Sequence, residues 1–146
     1  MGLVVQGKLP ISALERGMFM SEIAALIVDD SSVMRKIVER ALRQAGLPLS
    51  KVHEASSGVE ALDLLKSERV QLILSDINMP MMDGLEFLRQ LRAQDLAPDV
   101  PVVMITTESS EEHVKEAIVA GAQGYIRKPF TAEQVKDRVL PLLDLV

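Results

Sequence analysis

The sequence predicts an α/β domain with five parallel strands in one doubly wound sheet and five helices covering both faces. Three observations carry that prediction. Short β-like runs alternate with amphipathic stretches of helical period five times along the chain. Capping and breaking residues punctuate the helical stretches. At 146 residues and 48% hydrophobic content, the chain can bury one substantial core. Strands that alternate with helices are joined by right-handed crossovers, which place helices on both sides of a parallel sheet.

The first strand is Ile23 to Val28, a continuous apolar run suited to a strand covered on both faces. Helical spacing follows in Val33, Ile37 and Ala41 with Met34, Val38 and Leu42, while Arg35, Lys36, Glu39, Arg40 and Arg43 fall outside that stripe. Gly46 and Pro48 end this helix. Lys51 to Ala55 is a weaker strand, and Ser57 with Glu60 forms a capping-box pattern that opens a helix through Leu62 and Leu65. Gln71 to Ser75 is the third strand. Beyond a Met/Pro/Gly loop, Leu85, Leu88 and Leu91 mark the third helix, and Pro98 and Pro101 bracket the entry to the strand Val102 to Ile105. A second capping-box pattern, Ser109 with Glu112, opens a helix carrying Val114, Ala117 and Ile118 that Gly121 ends. Tyr125 to Arg127 is a short strand, and Thr131 with Gln134 opens a last helix through Val135 and Val139. Pro141 should kink or end that helix, because it lacks a donor and clashes with the preceding turn.

Residues 1–21 do not follow the alternating pattern. Their Gly/Pro-punctuated mixture, with only a weak helical hint at Ile11, Leu14 and Met18, reads as a disordered or artificially appended extension, leaving 22–146 as the domain. The formal charge of -5, from 21 acidic against 16 basic residues, argues against a nucleic-acid partner. No cysteine is present, so disulfides, thiolate chemistry and cysteine-ligated zinc are excluded. The longest apolar run, Ile23 to Val28, is far short of the ~20 residues a membrane-spanning helix needs, and the N-terminus lacks a signal-peptide core. The expectation is a cytoplasmic monomer with no membrane partner.

In a parallel sheet the residues that follow the strands gather along one edge. Here they are Asp29 and Asp30, then Asp76, then Thr106, then Lys128; the second strand contributes nothing obvious. Three carboxylates brought together repel one another unless a cation sits among them, and hard oxygen ligands suit Mg²⁺. With the cation present Asp76, after the central strand, is the candidate nucleophile toward phosphorus, and Asp29 and Asp30 read as a metal-holding pair. Lys128 and the Thr106 hydroxyl are the candidate donors to phosphoryl oxygens. A plain alternative for each Asp is a helix N-cap, and Asp30 before Ser31-Ser32 could be that alone.

The stretches Val28-Asp29-Asp30-Ser31, Ser75-Asp76-Ile77-Asn78-Met79-Pro80, Met82-Asp83-Gly84, Ile105-Thr106-Thr107-Glu108 and Lys128-Pro129-Phe130 resemble two-component response-regulator receiver domains, most of all single-domain regulators of the CheY-like, flavodoxin-like type. The likeness covers about residues 23–143. It implies a strand order of 2-1-3-4-5, with Asp76 as phosphoacceptor from a histidine kinase or phosphotransfer protein. It implies Mg²⁺ held by the side chains of Asp30 and Asp76, the backbone carbonyl of Asn78 and, through water, Asp29. Thr106 and Lys128 would hold the phosphoryl oxygens, Thr106 and Tyr125 would form the switch, and Asn78 and Glu108 would tune hydrolysis. Lys128-Pro129 would be a cis peptide, and Pro80 and Gly84 would shape the loop beyond the acceptor.

Two positions depart from the chemotaxis pattern: Thr107 stands where a smaller residue is usual, and Ile77 replaces a large aromatic. Met79, Met81 and Met82 read as packing and loop residues rather than metal ligands. His53 and His113 read as surface residues, and Arg35, Lys36, Arg40 and Arg43 as the solvated face of the first helix. Function is expected as a signalling switch whose only chemistry is on itself, with a downstream protein as listener, in chemotaxis if the resemblance extends so far. No output domain follows Val146 in this sequence, so a stand-alone regulator is the expectation. Competing readings are a phosphate sink, a constitutive module that only binds partners, against which the full set Asp30, Asp76, Thr106 and Lys128 speaks, and an aspartate-nucleophile phosphatase. The last usually needs a second acid two residues past the nucleophile, where Asn78 stands here. No P-loop run is present.

Overall fold

The computed structural model describes residues 23–107 and 111–143. Its elements run β1 (Ile23–Val28), α1 (Ser32–Gln44), β2 (Leu49–Ala55), α2 (Gly58–Leu65), β3 (Leu72–Ser75), α3 (Gly84–Ala93), β4 (Val102–Thr106), α4 (Glu111–Val119), β5 (Gly124–Arg127) and α5 (Ala132–Val139), the last running into a 3-10 turn, Leu140–Leu143. Every strand pairing is parallel, and the order across the sheet is β2-β1-β3-β4-β5, as the resemblance implies.

Alternation along the strands divides the core into two layers. Leu26, Val28, Ile73, Val102 and Met104 face Ala61, Leu65, Phe87, Leu88, Leu91 and Ala117, which belong to α2, α3 and α4. Ala25, Ile27, Leu72, Leu74, Val103 and Ile105 face Val38, Leu42, Val135 and Val139 of α1 and α5. Burying a leucine or phenylalanine side chain fully contributes about 1.5–3 kcal/mol, so both layers bear on the sheet's position.

Local signals set the element ends. Ser31, Ser57, Asp83 and Thr131 are N-caps whose side chains accept from the N–H groups of Met34, Glu60, Glu86 and Gln134. Such a cap contributes about 1 kcal/mol. The box at Thr131 is complete, but Glu60 reaches past Ser57 to accept from the Ser56 N–H just beyond β2. Gly46 takes a φ of 95° and Gly121 one of 109° after α1 and α4, conformations that suit residues without a Cβ. The proline at position 141 acts as expected, since α5 ends at Val139.

Strand bounds differ from the sequence reading by a residue or two in β2, β3, β4 and β5. β2 starts at Leu49 instead of Lys51, because the register shifts between Ile23 and Ala24 and the bulged Ser50 donates its hydroxyl to the Ile23 carbonyl at 3.0 Å. β4 extends through Thr106, which pairs with Arg127. Thr106 is therefore the last residue of its strand and not the residue after it. His53 is also not a surface residue: its side chain is 10% exposed and its Nε2 lies 3.8 Å from Glu68. The expected extension at 1–21 and the Ser109 cap lie outside the described residues.

Candidate functional site

Asp29, Asp30 and Asp76 meet at the C-terminal edge of the sheet. One carboxylate oxygen from each lies within 4.8 Å of the others. Their positions follow from the sheet: Asp76 continues the ladder beyond β3 by donating its N–H to the Val28 carbonyl at 2.9 Å, and Asp29 does the same beyond β1 with the Ala55 carbonyl at 3.1 Å. Asp29 and Asp76 are almost wholly buried, whereas Asp30 is exposed. The N-cap of α1 is Ser31, so Asp30 is not spent as a cap.

Lys128 reaches this cluster from the end of β5. Its Nζ donates to Asp29 Oδ2 at 3.0 Å and to Asp76 Oδ2 at 3.3 Å, with 11% of its side chain exposed. Its backbone N–H donates to the Thr106 carbonyl at 2.8 Å, which ties the lysine to the strand beside it. The Lys128-Pro129 bond is cis. Asp76 Oδ1 accepts from the Asn78 N–H at 3.2 Å, and Asn78 Nδ2 donates to Thr106 Oγ1 at 3.4 Å. Each Asp76 oxygen thus has a donor, and the side chains of Asn78 and Thr106 are linked to each other.

The loop beyond Asp76 closes on Gly84. Its N–H donates to the Ile77 carbonyl at 2.7 Å, and a Cβ at this position would stand 2.0 Å from the Asp76 carbonyl oxygen and 2.8 Å from Ile77 Cα. No side chain fits there. Of the three loop methionines, Met79 is buried and Met82 packs against the α2–α4 layer, as the packing reading holds. Met81 does neither, being 98% exposed with a φ of 70°.

Tyr125 stands outside the acid cluster. It is half-buried on β5 in register with Met104 and packs on the α2–α4 layer. Thr106 is two residues beyond Met104, so its side chain and Tyr125 lie on the same face of adjacent strands as diagonal neighbours. Glu108 lies outside the described residues.

Arg35 does not lie on the solvated face of α1, where its spacing alone would put it. Its side chain is 15% exposed; Nη1 donates to the Asp29 main-chain carbonyl at 2.6 Å and Nε to Glu54 Oε1 at 2.8 Å. Lys36 Nζ also meets Glu54, at 2.8 Å, and the hydrogen bonds from Lys36 and then Arg35 hold the Glu54 carboxyl below its ordinary range. Glu54 in turn raises Lys36. The available signal for Arg35 was an arginine in the first turn of α1 together with the acid one position before the end of β2.

A groove of about 380 Å³ lined by Leu65, Val70, Ala97 and Pro98 lies near the opposite end of the strands, before β3 and β4, away from the carboxylates. Among the described residues no helix is long and apolar enough to cross a membrane.

Comparison with known proteins agrees with this arrangement. The family model described as "Response regulator receiver domain" matches residues 25–140. A chemotaxis protein CheY homolog of Campylobacter jejuni is 44% identical over 119 residues, covering 81% of this chain and 90% of its own. Among solved structures, the chemotaxis response regulator CheY4 of Vibrio cholerae superimposes with a TM-score of 0.72 at 37% identity, covering 82% of this chain and 98% of that one. A CheY-like receiver domain protein from Methanospirillum hungatei gives 0.72 at 30% identity, covering 84% and 94%.

Proposed function

The chain belongs to the response regulator receiver domain family, and on that premise we propose that it is a cytoplasmic regulator that accepts a phosphoryl group on Asp76 and signals by phosphorylation-dependent binding. The observation that carries the reading is the setting of Asp76: a carboxylate at the end of the central strand, bridged to Asp29 by the Lys128 ammonium and bonded to the N–H of Asn78, whose side chain in turn bonds Thr106. In the reaction an Asp76 carboxylate oxygen forms a bond to phosphorus as the bond from phosphorus to a phosphohistidine nitrogen of a histidine kinase or phosphotransfer protein breaks. The protein is then phosphoacceptor and catalyst of its own loading and unloading only.

The donor set fits Mg²⁺: three carboxylates with convergent oxygens are hard ligands for a hard cation. Asp30 and Asp76 side chains and the Asn78 carbonyl would hold it, with Asp29 acting through water. Bound there, it supplies positive charge against the acids and the incoming phosphoryl oxygens. Lys128, already at Asp76 Oδ2, is placed to donate to those oxygens, and Thr106 supplies a hydroxyl from the neighbouring strand. Drawing Thr106 toward the phosphoryl group alters the space beside Tyr125, its diagonal neighbour, and biases a two-state equilibrium at that edge. Asn78 and Glu108 would govern access of hydrolytic water, as the family resemblance implies. The names of the C. jejuni and V. cholerae relatives support chemotaxis as the setting. We place the receiver unit at 22–146, acting as a monomer toward a downstream protein.

Incubation with Mg²⁺ and a small phosphoryl donor should add the mass of one phosphoryl group, removable by acid and absent when the cation is chelated. Asp76→Asn should take up none. Undiminished acid-labile loading of that variant would overturn the assignment.

A further inference from the structure

The acid cluster is held from two directions. On the solvent side Asp29 Oδ2 takes Lys128 Nζ and Oδ1 accepts the Ser31 N–H at 2.9 Å, so its carboxylate is fixed at both oxygens. Behind it, just past the end of β1, the Asp29 main-chain carbonyl accepts from Arg35 Nη1 at 2.6 Å. That carbonyl belongs to the peptide unit joining Asp29 to Asp30, so its orientation sets where the Asp30 side chain leaves the backbone. Arg35 is itself aimed: Glu54 Oε1 takes its Nε at 2.8 Å, and the guanidinium's rigid fork lets one side chain engage a carboxylate on β2 and a carbonyl after β1 together.

We propose that Arg35 is a positioning residue for the divalent-cation site, fixing the Asp29–Asp30 peptide so that both carboxylates stand at the cation; this rests on the cation reading above. The sign of the effect separates it from simple electrostatics. Arg35 is a positive charge beside an acidic site, so through its charge alone it weakens cation binding, and removing it should tighten the site. If Arg35 positions the peptide, removing it should loosen the site instead. Partners that orient metal ligands are worth roughly 10–100-fold in affinity.

The test is calorimetric titration of the full chain with Mn²⁺ and Mg²⁺, with melting curves recorded alongside. Arg35→Ala should bind about tenfold more weakly. Arg35→Lys keeps the charge but cannot span both acceptors, and it should fall between. Lys36→Ala removes a charge from the same Glu54 without touching Asp29, and it should bind no more weakly than the unaltered protein. Phosphoryl loading of Arg35→Ala should recover at saturating cation. Affinity in Arg35→Ala equal to or above the unaltered value overturns the proposal, as does an equal loss in Lys36→Ala. If Arg35→Ala melts below the assay temperature, Arg35→Lys decides alone, because the charge account requires it to match the unaltered protein. Failure of the unaltered protein to bind either cation is a different outcome, which overturns the cation reading and the Arg35 role with it.

Discussion

The three carboxylates directly follow β1 and β3, while β5 carries Tyr125 and leads into Lys128, and these two parts of one sheet are built differently. Every residue of β1 and β3 is buried, and each strand is paired on both sides under helices on both faces. β5 is an edge strand in which Ile126 alone is buried. The acids therefore cannot shift without disturbing both hydrophobic layers, whereas the edge can adjust at lower cost. The other edge strand, β2, is tied down by the contacts of Arg35 and Lys36 with Glu54. Chemistry at a fixed centre and readout at one adjustable edge is the division this predicts.

The largest effect expected is in stability. Ile73→Ala, in the middle of β3, should cost about 3–4 kcal/mol in urea unfolding, and Arg127→Ala, exposed on β5, about 0.5 kcal/mol or less. Similar costs at the two sites would break the contrast.

Next comes Lys128, the link between edge and centre. Lys128→Met leaves Asp29 and Asp76 without their ammonium and should cost about 3 kcal/mol in the presence of a chelator, with part of the loss restored by Mg²⁺. Asp76→Asn should shift stability the other way under the same conditions, by removing one of three neighbouring carboxylates. Equal behaviour with and without Mg²⁺ would place the cation elsewhere.

The smallest effect concerns β2. The Glu54 carboxyl is held below its ordinary value of 4.5 by hydrogen bonds from Lys36 and Arg35. A lowered folded-state value means its contribution is full above about pH 4.5 and is lost as pH falls through the lowered value. Glu54→Gln should therefore be less stable at neutral pH by about 1 kcal/mol or less, as for partly exposed pairs, and the gap should close in acid. Lys36 is raised above 10.5 by the same carboxylate, so its contribution is full below that value and is lost as pH rises through the raised one. A gap that persists in strong acid would mean packing, not charge, holds this edge.

Much of this was legible in the sequence, because two periods and a few caps suffice to tell five strands from five helices. The convergence of Asp29, Asp30, Asp76 and Lys128 also follows once the strands are parallel, since parallel strands share one end. What escaped depends on partners distant in sequence. The bulge at Ser50 exists only against Ile23, and Thr106 counts as strand only because Arg127 lies opposite. Arg35 has the spacing of a solvated residue, and it is largely covered because Glu54, 19 positions away, and the Asp29 carbonyl both lie within its reach.

The central claim is that loading Asp76 leaves the centre of the sheet fixed and changes the β5 edge. Hydrogen exchange on the unaltered protein, with and without Mg²⁺ and a beryllofluoride mimic on Asp76, reads this directly. Amides of β5 and α4 should change their exchange at least several-fold while those of β1 and β3 hold theirs, and Thr106→Ala should bind the mimic yet lose the change at β5. Unaltered exchange at β5, or changes of equal size in β1 and β3, would contradict it.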